Sequence, residues 1–283
     1  MRFAIRCLAL VVVLLGTVSA RAEVEVQITP DVVYGHKDGM ALTFDRFRPK
    51  EANGAGVLFM VSGGWYSRWS PPEKFQGVIQ TLLDRGFTVF AVRHGSSPKY
   101  LVPEAVADVR RAVRYIRCHA AELGIDPERL GVTGASAGGH LSLMLGTTGD
   151  DGETKKDDPL AAVSDRVKAV APWCPPTDIR PWVDEKSSYY QNYPALRFNP
   201  EEADDCSPLL QVSADDAATL LIHGDKDELV PIDHSRKILA ELEKHGVPAE
   251  LLTLEGAGHG FRGDDVQRAR DATAAWFEKH LGK

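Results

Sequence analysis

One stretch limits the possible folds of this chain more than any other, namely Gly134-Ala135-Ser136-Ala137-Gly138. It places a serine among small residues, between a segment with the pattern of a strand and a segment with the pattern of a helix. The apolar run at 130–133 predicts a buried strand, and the apolar residues at 139–146 predict a packed helix. A serine in such a turn lies on strained backbone, with its hydroxyl above the sheet edge and helix N–H groups nearby. The pattern predicts a nucleophile at Ser136, although Gly-x-Ser-x-Gly alone also fits a plain glycine-rich turn.

Apolar runs and amphipathic segments alternate along the rest of the chain. Continuous apolar runs, typical of strands covered on both faces, occur at 57–61, 87–92, 167–171 and 219–222. Segments with helical spacing lie between or after them, at 71–85, 103–117, 233–245 and in the last residues through Phe277. We therefore predict an α/β fold with a mostly parallel sheet of about eight strands and helices on both faces. Alternating residues at 24–28 and 42–48 add an antiparallel edge hairpin.

One long segment, residues 173–206, follows no regular period and carries several tryptophans and tyrosines among prolines and charges. A segment of this length is typically a functional lid or disordered, and its aromatic content favours a lid. We expect one domain over residues 23–283 with an irregular lid insert at 173–206. Spacing alone leaves open whether Cys174 and Cys206, which bracket the lid, form a disulfide.

Residues 1–22 have the composition of a cleavable secretory signal peptide. Arg2 and Arg6 precede the apolar run 7–18, and Ala20-Arg21-Ala22 offers small residues where a signal peptidase reads. The run is short for a membrane span, so an uncleaved anchor is the less favoured alternative. The expected location is secreted or periplasmic, with no stable membrane anchor after cleavage.

Charge and composition exclude several classes of partner. The chain has 33 basic and 40 acidic side chains, and residues 1–22 hold three arginines and no acid, so the remainder carries ten more acidic than basic groups. Without a basic stripe to neutralise phosphates, no nucleic-acid partner is expected. No Cys-x-x-Cys or His-x-x-x-His pattern predicts a metal site, and no cofactor is expected. The oligomeric state is left open.

Two more loops after predicted strands carry side chains that suit a reacting serine. His259 lies between glycines and is the candidate base, and Asp227 is the candidate carboxylate that orients the imidazole. Because ligands gather at the carboxyl ends of parallel strands, we expect both near Ser136. Asp225 is the rival carboxylate, but Asp227 stands further from its strand. His223 ends that strand and is expected to be structural.

The loop after 57–61 supplies a candidate oxyanion hole. The backbone N–H groups of Gly63 and Gly64, together with that of Ala137, are the expected donors to a tetrahedral oxyanion. Trp65 and Trp173 are the candidate substrate-binding residues, because they stand beside the oxyanion glycines and at the start of the lid. The sequence does not decide which lid side chains face the pocket.

Together these residues resemble the motifs of the α/β-hydrolase superfamily, nearest the esterases and lipases similar to hormone-sensitive lipase and to small feruloyl and acetyl esterases. The resemblance rests on four stretches, namely Val57–Trp65, Gly134–Gly139, His223–Pro231 and Gly258–Phe261. It implies that Ser136, Asp227 and His259 form the triad of a serine hydrolase that cleaves carboxylic esters through an acyl-enzyme. A small-molecule or carbohydrate-linked ester is the implied substrate.

One position departs from the pattern of that group. Its members have His-Gly-Gly-Gly-Trp where this chain has Val61-Ser62-Gly63-Gly64-Trp65, so Val61 replaces the histidine that braces the oxyanion loop. Two alternatives therefore stay open. One is a serine peptidase of the prolyl-oligopeptidase type, whose catalytic domain is similar but generally follows a β-propeller. The other is a catalytically weak binding protein on the hydrolase scaffold.

Overall fold

The computed structural model describes residues 24–154 and 158–282, so the signal-peptide prediction for residues 1–22 lies outside the described residues. Within these ranges eight strands form one sheet in the order β1-β2-β4-β3-β5-β6-β7-β8. The strands are β1 (Val26–Lys37), β2 (Met40–Pro49), β3 (Gly56–Met60), β4 (Thr88–Val92), β5 (Leu130–Ala135), β6 (Ala169–Trp173), β7 (Ala218–Gly224) and β8 (Ala249–Leu254). The β1–β2 and β2–β4 pairs are antiparallel, and every pair from β4 to β8 is parallel.

Helices cover both faces of this sheet. They are α1 (Pro72–Leu83), α2 (Val102–Cys118), α3 (Ala120–Leu123), α4 (Ala137–Thr147), α5 (Ser188–Asn192), α6 (Asp233–Lys244) and α7 (Asp264–Leu281). Apolar side chains of α1 and α7, such as Ile79 and Phe277, form the core on one face. Those of α2, α4 and α6, such as Val109, Leu141 and Ile238, form the core on the other. The predicted α/β architecture is confirmed, with a longer edge hairpin than its alternating residues indicated.

The strand order creates a switch point between β3 and β5. The chain leaves β3 through α1 to reach β4 on one side, and then crosses through α2 to β5 on the other side. Loops that follow two such strands diverge, and the crevice between them is where open α/β sheets bind ligands. The oxyanion loop (residues 61–67) follows β3, and Ser136 follows β5, so both lie at this crevice.

The lid consists of short helical turns around α5, with 3-10 turns at Arg180–Trp182, Pro194–Leu196 and Pro200–Glu202. Several of its side chains, including Ile179 and Phe198, are buried in the core on the α2–α4–α6 face. Cys174 and Cys206 are both free thiols, so no disulfide closes the lid. Among the helices that the structure describes, none combines the length and apolar character needed to cross a bilayer.

Candidate active site

Ser136 lies in the turn from β5 into α4, where its backbone has φ 55° and ψ −120°. Residues other than glycine rarely adopt a positive φ, so this turn is strained. Only small neighbours fit, because a Cβ on Gly134 would lie 2.7 Å from Gly138 backbone atoms and one on Gly138 would lie 2.7 Å from the Met60 carbonyl oxygen. The Ser136 N–H donates to the Trp173 carbonyl oxygen at 2.9 Å, which ties the turn to β6.

The three candidate triad side chains form one hydrogen-bonded chain. His259 Nε2 lies 2.9 Å from Ser136 Oγ, and His259 Nδ1 lies 2.8 Å from Asp227 Oδ2. The other carboxylate oxygen, Asp227 Oδ1, accepts the N–H groups of Leu229 at 3.0 Å and Val230 at 2.8 Å. The structure therefore brings together, at the carboxyl ends of β5, β7 and β8, three residues that are distant in sequence.

The surroundings set the charge state of this chain of groups. Burial disfavours a charged carboxylate, but hydrogen bonds from His223 and His259 outweigh it and hold the pKa of Asp227 well below its usual value. Burial would also lower the pKa of His259, yet the hydrogen bond to Asp227 raises that pKa above the usual value for imidazole. An ionised Asp227 only accepts, so His259 Nδ1 carries the proton and neutral His259 presents Nε2 to the Ser136 hydroxyl.

Two further residues support this arrangement, namely His223 near the end of β7 and Asp225 in the loop that follows it, residues 225–232, here called the β7 loop. Buried His223 has its Nε2 2.8 Å from the Val230 carbonyl oxygen and 3.2 Å from Asp227 Oδ2, and its Nδ1 2.7 Å from Ser235 Oγ. Because a carbonyl only accepts, Nε2 carries the proton and His223 donates to Asp227 rather than acting as a base. Asp225 accepts the Gly256 N–H at 2.6 Å and thus holds the start of the loop that carries the candidate base.

Of the three expected oxyanion donors, one already has a hydrogen-bond partner within the oxyanion loop. The Gly63 N–H donates to the Tyr66 carbonyl oxygen at 3.0 Å, within a tight turn that Tyr66 closes by donating back to Gly63. Gly63 is therefore not a free donor, contrary to the expectation from its position in the sequence. The N–H groups of Gly64 and Ala137 have no hydrogen-bond partner within the described ranges, and both residues line the cavity beside Ser136.

That cavity has a volume of about 20 Å³, which is the space of about one or two water molecules. Its aromatic walls come from the oxyanion loop and the lid, namely Trp65, Trp182, Tyr189 and Tyr193. Trp182 and Tyr189 stack with ring centres 4.1 Å apart, and the Tyr189 hydroxyl donates to the Leu229 carbonyl oxygen at 2.7 Å. The lid residues could not be assigned from sequence, since no period marks which side chains point inward.

Of the two tryptophans expected to bind substrate, only Trp65 lines this cavity. Trp173 does not, because its side chain lies on the α7 face, where its Nε1–H donates to Thr273 Oγ1 at 2.9 Å and its ring packs on Phe261. It lines a separate apolar cavity of about 170 Å³ between α1 and α7. Its contribution at Ser136 is the backbone carbonyl that anchors the turn.

Comparisons with known proteins agree with the fold. Residues 44–242 match the BD-FAE family. The probable carboxylic ester hydrolase LipM of Mycobacterium tuberculosis is 28% identical over 89% of this chain and 60% of its own length. The ethyl acetate hydrolase of Pseudomonas putida is 30% identical over 80% of this chain and 73% of its own length.

Solved structures align over most of the chain. A truncated carbohydrate esterase from gut microbiota has a TM-score of 0.76 and 26% identity, covering 93% of this chain and 99% of its own. The propionate-bound esterase Est2 of Thermogutta terrifontis has a TM-score of 0.73 and 26% identity, covering 92% and 95%. By contrast, the chain spans about three fifths of the length of the mycobacterial relatives that it matches.

Proposed function

The chain belongs to the BD-FAE family and has the α/β-hydrolase fold, and from this premise we propose that it is a serine esterase that hydrolyses carboxylic esters of short acyl groups through an acyl-enzyme. The observation that carries the proposal is the hydrogen-bonded chain from Ser136 Oγ through His259 to Asp227, at 2.9 Å and 2.8 Å. Both distances are within hydrogen-bond reach, so His259 can take the proton of Ser136 while Asp227 orients the imidazole. The names of two relatives, the probable carboxylic ester hydrolase LipM and the ethyl acetate hydrolase, agree with this chemistry.

The first half of the reaction forms the acyl-enzyme. Ser136 Oγ attacks the ester carbonyl carbon while His259 Nε2 takes the hydroxyl proton, and ionised Asp227 stabilises the imidazolium. The carbonyl oxygen becomes an oxyanion that accepts hydrogen bonds from the N–H groups of Gly64 and Ala137. The tetrahedral intermediate then breaks its bond to the alcohol oxygen, and His259 returns the proton to the leaving alcohol.

The second half releases the acid. A water molecule gives its proton to His259 Nε2 and attacks the acyl carbon, and a second oxyanion forms in the same place. Breaking the bond to Ser136 Oγ, which regains its proton from His259, releases the carboxylic acid and restores the enzyme. No cofactor enters either half.

The cavity beside Ser136 limits the acyl group. Because it holds about one or two water molecules, an acetyl methyl fits, and we expect a longer chain to press on Trp182, Tyr189 or Tyr193. Forcing extra methylenes into a packed site costs about 1–3 kcal/mol, or about 5- to 150-fold in rate. We therefore expect kcat/KM to be highest for acetyl esters and to fall with each added methylene.

The test is an ester panel run beside one variant. Wild-type protein and Ser136→Ala are assayed on 4-nitrophenyl acetate, propionate, butyrate and octanoate, and both are treated with a fluorophosphonate probe. We expect Ser136→Ala to lower kcat by about 10⁶-fold and to abolish labelling. Equal turnover in the variant would refute the proposal. Hydrolysis of an aminoacyl 4-nitroanilide without esterase activity would indicate the peptidase, and absence of both labelling and turnover would indicate the binding protein.

Export is the second part of the proposal, and it concerns residues 1–22. N-terminal sequencing of protein recovered from the periplasm or medium after expression of the full chain should begin at Glu23, or at Arg21 if the peptidase cuts after Ala20. Recovery with Met1 still attached would contradict this.

A further inference from the structure

The oxyanion loop, residues 61–67, holds a conformation that its own sequence does not favour. Gly64 has φ 58° and Trp65 has φ 59°, and a tryptophan in this region is a steric outlier. Such strained residues persist only where the surrounding structure fixes them. The free N–H of Gly64 depends on this conformation for its direction, so whatever fixes the loop also fixes the proposed oxyanion donor. Val61 offers no side-chain hydrogen bond for this purpose.

The support comes instead from the segment that follows β4, residues 93–97, here called the brace segment. Its centre is His94, which is buried and whose Nε2 lies 2.9 Å from Ser62 Oγ. The backbone N–H of His94 also donates to Ser67 Oγ at 3.2 Å, and Ser67 Oγ in turn donates to the Val61 carbonyl oxygen at 2.7 Å. His94 thus contacts side chains near both ends of the oxyanion loop.

Two serines of the brace segment complete the attachment. The Ser97 N–H donates to the carbonyl oxygen of Trp65 at 3.1 Å, and Ser96 Oγ accepts the N–H of Ser67 at 3.0 Å. The strained residue Trp65 is therefore held from the brace segment as well as by its own burial.

The brace segment is itself rigidly anchored. Arg93 forms a buried ion pair with Asp45 of β2 at 2.6 Å, and its carbonyl oxygen accepts the hydroxyl of Tyr34 in β1 at 2.6 Å. The Gly95 N–H donates to Asp108 of α2 at 2.8 Å. Because three elements of the fold fix the segment on both sides of His94, the imidazole has little freedom to follow a moving loop.

The direction of the hydrogen bond between His94 and Ser62 can be assigned. His94 Nδ1 lies 2.9 Å from the Gly95 carbonyl oxygen, which only accepts, so Nδ1 carries a proton. Burial lowers the pKa of His94 to about 4, so the ring is neutral at pH 7 and Nε2 is an acceptor. The Ser62 hydroxyl therefore donates to His94, and its position two residues before Gly64 is defined by a partner that does not titrate near neutral pH.

We propose that His94, acting through the Ser62 hydroxyl, is the positioning residue of the oxyanion loop and supplies the support that Val61 lacks. The inference rests on the proposed esterase function. His94 touches neither substrate nor reacting atoms, so its loss displaces the Gly64 N–H and leaves the chain Ser136–His259–Asp227 intact. The effect should therefore fall on the transition state, where the oxyanion forms, more than on substrate binding.

The first experiment compares Ser62→Ala, Ser62→Thr and His94→Gln with wild type on 4-nitrophenyl acetate. A misplacement of about 1 Å costs about 100-fold, so Ser62→Ala should lose about 10- to 100-fold in kcat with KM within about 3-fold. Ser62→Thr keeps the hydroxyl and should retain most of kcat. Ser164→Ala is the matched control, because that hydroxyl also has two hydrogen bonds, donating to the Asp150 carbonyl oxygen and accepting the Arg166 N–H, but lies in a surface loop outside the site.

The second measurement distinguishes a displaced oxyanion donor from a lowered free energy of unfolding. A trifluoromethyl ketone forms a tetrahedral oxyanion on a reactive serine, so its Ki should rise in Ser62→Ala by the factor by which kcat falls. The double variant Ser62→Ala/His94→Gln should lose no more than the worse single variant, since the two groups act as one unit.

Three results would overturn the inference. One is a lowered melting temperature in Ser62→Ala with unchanged kcat and Ki, which would mean a merely structural hydrogen bond. Another is a double variant whose losses multiply. The third is wild-type protein without Ser136-dependent turnover, which would remove the proposed function as well. If the wild type is active and Ser62→Ala leaves kcat unchanged, the inference fails but the proposed function stands.

Discussion

Gly224→Ala tests how closely the loop of the candidate base is fitted against β7. A Cβ at position 224 would lie 2.2 Å from the carbonyl oxygen of Ala257 and 2.8 Å from that of Gly258. Close carbon–oxygen contacts in proteins are about 3.3 Å, so the backbone of this loop must move by about 1 Å to admit one methyl group. His259 follows directly, and its 2.9 Å contact with Ser136 Oγ would be lengthened or misaligned. Because a misplacement of this size costs about 100-fold, we expect kcat for 4-nitrophenyl acetate to fall by about that factor.

The matched control is Gly77→Ala, since among the described residues no atom beyond its chain neighbours and the backbone of its own helix lies within 4 Å of a Cβ at position 77. Gly77 lies inside α1, where alanine favours the helix by about 1 kcal/mol over glycine, so this variant should keep full activity and melt slightly higher. Gly224→Ala should melt lower, because overpacking costs about 1–3 kcal/mol. Both variants are compared by kcat, KM and thermal unfolding. Wild-type kcat in Gly224→Ala would refute the close fit between β7 and the loop, and with it the fixed placement of His259.

Two further predictions concern the charge and the size of the site. Only neutral imidazole accepts the serine proton, and Asp227 raises the pKa of His259, so kcat/KM should rise with pH about a midpoint above the ordinary imidazole value of about 6.5. Asp227→Asn should move that midpoint to lower pH and lower kcat by about 10⁴-fold, and an unmoved midpoint in the pH profile would contradict the assignment. Tyr193→Ala removes a ring from the cavity wall beside Gly64 and should raise the butyrate-to-acetate ratio of kcat/KM by about 10-fold, whereas an unchanged ratio would show that the acyl group lies elsewhere.

The polar residues of the site were accessible to sequence reasoning because each lies in the turn or loop that follows a strand of the parallel part of the sheet. Parallel strands end at one edge, so Ser136, Asp227 and His259 had to lie near one another whatever their separation in the chain. Trp173 shows where this reasoning fails. Its strand was expected to end at residue 171 but continues to 173, and side chains two apart in a strand share a face. Ala171 packs on the α7 face, and Trp173 therefore points there too, away from the cavity beside Ser136.

The prediction of the oxyanion donors was wrong at Gly63 for a different reason. Two adjacent glycines indicate that a turn can form, but the sequence does not tell which N–H group the turn consumes, and Gly63 uses its own to reach Tyr66. His94 carried no signal either, since a single histidine after a strand is most often structural. Valine in place of the histidine at position 61 indicates that the oxyanion loop needs another support, but only the tertiary structure identifies His94 as that support.

These contacts divide the site into two halves with separate supports. The brace segment, fixed to β1, β2 and α2, holds the oxyanion loop through His94. The β7 loop holds the base, because Asp225 accepts the Gly256 N–H and the Lys226 N–H donates to the Ala257 carbonyl oxygen at 2.9 Å. Both halves reach Ser136, on the turn between β5 and α4, and the lid residues Tyr189 and Tyr193 also join them, since the Tyr193 ring packs on Trp65 and the Tyr189 hydroxyl donates to the Leu229 carbonyl oxygen. Valine at position 61 therefore bears first on the support of the oxyanion loop, because the hydrogen bonds that hold the candidate base come from the loops after β7 and β8.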